Sequence, residues 1–66
     1  MNQENAARNK AQQELEEIKE MLLKCLTDVN DHNFLTAALK LYGVSNMCAD
    51  LANELRQSEE VVYNAV

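Results

Sequence analysis

The chain contains no proline and no tryptophan, only one glycine (Gly43), and a single phenylalanine (Phe34). Without proline, no position is barred from a helix interior. With one glycine, at most one turn can rest on glycine's access to positive φ. Cysteine is also sparse: Cys25 and Cys48 stand far apart, unlike the dense pattern of a secreted disulfide scaffold. Both lie in apolar rows, which suggests two reduced core thiols; a bridge between two helices is the alternative. No apolar run approaches the ~20 residues of a membrane span. The opening MNQENAARNK is polar, so no signal peptide is expected. These features together suggest a cytosolic protein.

What remains is rich in Ala, Leu, Glu, Gln, Asn and Lys, the composition of helices joined by short turns. Sixty-six residues make one domain, residues 1–66. A chain this short buries only ~60% of the surface it exposes when unfolded, so a partner chain is a common remedy. Eleven acids against six bases leave a net charge of −5, which repels nucleic acid and anionic membranes.

The densest apolar stretch is Met21, Leu22, Leu23, Cys25 and Leu26, interrupted only by Lys24. It covers more of a helix circumference than one buried stripe needs. The row Ala11, Leu15, Ile18, Leu22, Cys25, Val29 steps by four and three, as the seam of a helical bundle does. A first helix is expected over about 5–28, with residues 1–5 frayed. Thr27 to Asn33 is a cluster of capping residues. Asn30 as N-cap would pair Val29 with Phe34 in a hydrophobic staple, with Asp31 or Asn33 as alternative caps. A short second helix is expected over 31–42. Gly43 then fits a left-handed C-terminal cap, Val44 a contact back onto Leu39, and Ser45 the next N-cap. A third helix is expected over 46–63, with the row Cys48, Leu51, Leu55, Ser58, Val62, Ala65. The expected fold is all-α: long, short and long helices in a small bundle with coiled-coil-like seams.

The string from Leu35 to Leu55, LTAALKLYGVSNMCADLANEL, resembles a helix-turn-helix. The resemblance implies a transcriptional regulator whose second helix enters the major groove. The residues presented would be Asn46, Asp50, Asn53 and Glu54. Two of these are acids and no base precedes Arg56, whereas phosphate contacts need Lys or Arg.

Other chemistry is thin. Cys25, His32 and Cys48 match no compact zinc spacing. No phosphate-cradling loop or nucleophile motif occurs, and no cofactor or catalytic residue is expected. Met21, Leu23, Leu26, Leu41 and Met47 are too many to fit one small core, and leaving them bare invites association. The expectation is therefore a non-enzymatic homodimer, with Leu15, Ile18, Met21, Leu22, Cys25, Leu26, Leu51 and Leu55 forming core and interface. Glu14, Glu16, Glu17 and Glu20 form an acidic face suited to a partner protein with a basic surface. On composition alone, the role expected is an accessory regulator of the kind found in bacteria and their phages.

Overall fold

A computed structural model describes the backbone of residues 3–64 and the side chains of residues 5–58. It contains two helices, α1 (Gln3–Asn30) and α2 (Phe34–Asn64), packed against each other as a hairpin. The molecule is a rod of 51 × 18 × 10 Å, two helices wide and one thick. Among the described residues, no helix is long and apolar enough to cross a membrane. Of the residues expected to fray, Met1 and Asn2 lie outside the described residues, and the helix has begun at Gln3.

Three residues, Asp31 to Asn33, make the reversal. His32 takes φ 64°, in the left-handed region. The His32 N–H donates to the Val29 carbonyl at 3.0 Å, and the Asn33 N–H to the Asp28 carbonyl at 2.7 Å. Those two bonds define a Schellman motif with His32 at the position usually held by glycine. His is among the residues enriched at positive φ, though at a cost glycine would not incur. The Asn33 carbonyl accepts the first bond of α2, from the Ala37 N–H at 3.0 Å, so Asn33 is the N-cap residue. The cap is therefore not Asn30. Phe34 is the first helical residue, with its ring edge-on to His32 at 5.7 Å, rather than a staple partner of Val29.

The expected second turn does not form. Helix α2 runs unbroken through Tyr42, Gly43, Val44 and Ser45, and Gly43 has no positive φ. The described residues thus form two helices, not three, and Leu35–Leu55 is not a helix-turn-helix. The cause is the phase of burial. Ala37, Val44 and Leu51 are buried at seven-residue intervals, and so are Ala11, Ile18 and Cys25. A break at Gly43 would throw Val44 and Leu51 out of phase with α1. Keeping glycine inside a helix costs only ~1 kcal/mol relative to alanine. Burying one aliphatic side chain is worth ~1.5–3 kcal/mol, so the continuous helix wins.

The core is a single seam. Ile18, Val44, Leu51 and Ala11 cluster together, with Met21 and Met47 packed on them. Near the turn, the buried Cys25 thiol faces the Ala37 carbonyl at 3.9 Å. That register puts Ile18 level with Val44 and Ala11 level with Leu51. Both cysteines are free; only Cys25 is a core thiol, and Cys48 is exposed.

Candidate interaction surface

Two faces of the hairpin differ sharply. In an antiparallel pair, the positions four residues after each buried one lie on the same side of both helices. On α1 these are Leu15, Leu22 and Val29. On α2 they are Leu41, Cys48 and Leu55, with Phe34 one heptad before Leu41. None is charged. The large ones are exposed, from 44% at Leu55 to 60% at Phe34. The register across the seam stacks them as rungs: Leu15 beside Cys48, Leu22 beside Leu41, and Val29 beside Phe34. Leu26 is exposed next to the middle rungs.

The expected seam is thus half right. Ala11, Ile18 and Cys25 are buried, but the alternate members Leu15, Leu22 and Val29 are exposed. Their places against α2 are taken by Glu14, Met21 and Asp28, which are half-buried. Leu51 is buried as expected, whereas Leu55 is exposed. Ser58 is half-buried; the side chains of Val62 and Ala65 lie outside the described residues.

The opposite face is polar. Glu14, Glu17, Asp50 and Glu54 line a groove floored by Ile18 and Met47. Lys10 lies at its end, 3.6 Å from Glu54 and 3.9 Å from Glu14. Of the expected acidic face, Glu14 and Glu17 belong to this groove. Glu16 and Glu20 are exposed outside it, and Glu16 pairs with Lys19 at 3.6 Å. The groove's other half, Asp50 and Glu54, comes from α2, where sequence had cast both as DNA-facing residues. Their seven-residue phase with Gly43 and Met47 was the available signal.

One ion pair crosses the seam with little solvent around it. Lys40 Nζ donates to Asp28 Oδ2 at 2.6 Å, with Asp28 only 14% and Lys40 31% exposed. Among the described residues, no cluster of His, Cys, Asp or Glu could hold a metal ion. No known protein family, curated protein or solved structure matches the chain.

Proposed function

We propose that the chain is a non-enzymatic interaction module that works as a homodimer through its apolar face, with regulatory use of the acidic face. The observation that carries this reading is the ladder of Leu15, Leu22, Val29, Phe34 and Leu41, uncharged and exposed on one side of the rod. Two such faces brought together make a four-helix bundle, which supplies the core a lone hairpin lacks. The groove of Glu14, Glu17, Asp50 and Glu54 stays outside that bundle and suits a basic patch on a second protein. The two unpaired thiols fit a reducing compartment such as the cytoplasm.

The test is mass in solution. Light scattering at micromolar concentration should give the mass of two chains. Leu22→Glu and, separately, Leu41→Glu should give one chain with reduced helicity. If the wild type is a monomer throughout, or both variants remain dimeric, the ladder is not the interface. Neutralising Glu14, Glu17, Asp50 and Glu54 together should keep the dimer and lose the basic partner.

A further inference from the structure

We propose that the two copies pack with their turns at opposite ends, related by a two-fold axis that crosses both hairpins at the Leu22–Leu41 rung. This rests on the self-association proposed above, and two observations select the arrangement. The first is rung size. A two-fold through the middle rung sets α1 on α1 and α2 on α2, each pair antiparallel. Phe34 then meets the partner's Cys48, and Val29 meets the partner's Leu15, so large opposes small. Turns at the same end would instead gather Val29 and Phe34 of both copies in one rung and leave the smaller Leu15 and Cys48 in another. Interiors pack to near-uniform density, which favours the even distribution.

The second is charge. Residues 21–42 contain Lys24, Lys40, Asp28 and Asp31 and are neutral, so the net −5 resides entirely in the remainder of the chain, toward the open end. With turns together, the two acidic stretches would run side by side. With turns apart, the acidic stretch next to the axis lies against the partner's neutral one.

The arrangement makes a distance prediction that oxidation can read. Rungs are seven residues apart, ~10 Å along a helix. Cys48 lies one rung from the axis, so the two copies of Cys48 are separated by ~20 Å, far beyond the ~7 Å Cα limit for a disulfide. Position 34 lies across from the partner's Cys48, yet two rungs from Cys48 of its own chain. Mild oxidation of Phe34→Cys should therefore give a covalent dimer on denaturing gels. Neither the wild type nor Phe34→Cys/Cys48→Ser should do so. The triple variant Leu15→Cys/Val29→Cys/Cys48→Ser should also crosslink, through α1 of each copy. Light scattering under reducing conditions keeps the two proposals separable. A wild type with the mass of one chain overturns self-association itself. A two-chain mass with no crosslink in either variant overturns the orientation alone, as does wild-type crosslinking through Cys48.

Discussion

The two ends of the rod are held together by different means. At the turn, the chain reversal is closed by backbone bonds at His32 and Asn33, by the Cys25–Ala37 contact and by the Asp28–Lys40 pair. At the open end, Ala11 and Leu51 are the only buried side chains among the described residues, and the crossing ion pair, Lys10 to Glu54, is well exposed. The surfaces differ in the opposite sense. Nine of the eleven large apolar side chains exposed among the described residues lie between Leu22 and Tyr42, reaching 75% at Leu35 and 71% at Tyr42. The better-clasped end is thus also the one that most needs covering. Local interactions fix the backbone there, while its large apolar side chains stay exposed. The open end carries the chain's net negative charge and is held mainly by the length of the seam.

The largest effect should come from cutting what joins the two ends. Ile18 lies midway along the seam and is buried in the main cluster. Ile18→Ala should cost ~2–5 kcal/mol, enough to unfold a protein with one small core. Leu23→Ala, at an exposed position on the outer side of α1, should change stability by about 0.5 kcal/mol or less. Thermal melts followed by circular dichroism compare the two. Equal losses would mean the seam is not the element that holds the helices together.

A smaller effect separates the clasps. Asp28→Asn removes the acceptor charge facing a half-buried Lys40 and should cost ~1.5–3 kcal/mol. Lys10→Gln breaks the exposed pair and should cost ~0.2–1 kcal/mol. Chemical denaturation of both proteins measures the difference. A cost at Lys10 as large as that at Asp28 would remove the contrast between the ends.

Sequence revealed the all-α class, α1, and the helical phase beyond Ser45, because these depend on composition and on three-and-four spacing. Ala11, Ile18, Cys25 and Leu51 stand where that spacing put them. Two kinds of information were not legible there. One was which flank of a wide apolar stripe would meet α2: Leu15 and Leu22 are better core residues than Glu14 and Met21 by hydrophobicity, yet the seam is rotated toward the latter. Helix α2 brings Lys40, Met47 and Glu54 to the same side, and that phase is a property of the pair rather than of either helix. The other was the site of the reversal. Gly43 carried the stronger local turn signal, but a glycine signals a turn only if the chain gains by turning there. Here the buried heptad of α2 runs straight through it.

Gly43 therefore offers a test of that misplacement. A Cβ added there meets nothing within 4 Å, and the residue has ordinary helical φ. It lies on the polar side, one residue before buried Val44. Gly43→Ala should stabilise the protein by ~1 kcal/mol and leave the mass in solution unchanged. Destabilisation would mean that α2 uses the glycine as a hinge, and the contrast between a clasped end and a seam-held end would then need a third, flexible region.

The smallest expected effect lies at the true turn, where a residue with a side chain occupies a position suited to glycine. The left-handed conformation costs an L-residue ~1–2 kcal/mol. His32→Gly removes that cost but gives back two things. It deletes the edge-on contact with Phe34, worth ~0.5–1.5 kcal/mol for a well-formed aromatic pair and least where both rings are exposed, as here. It also frees the unfolded chain, which opposes the gain by several tenths of a kcal/mol. The balance should be a net stabilisation of about 0.5 kcal/mol, additive with Gly43→Ala because the sites share no contact. Net destabilisation would show that the His32–Phe34 contact outweighs the backbone strain. The ring pair would then count among the forces that close the turn, and the clasp there would be partly a side-chain device rather than one built from backbone bonds and a single ion pair.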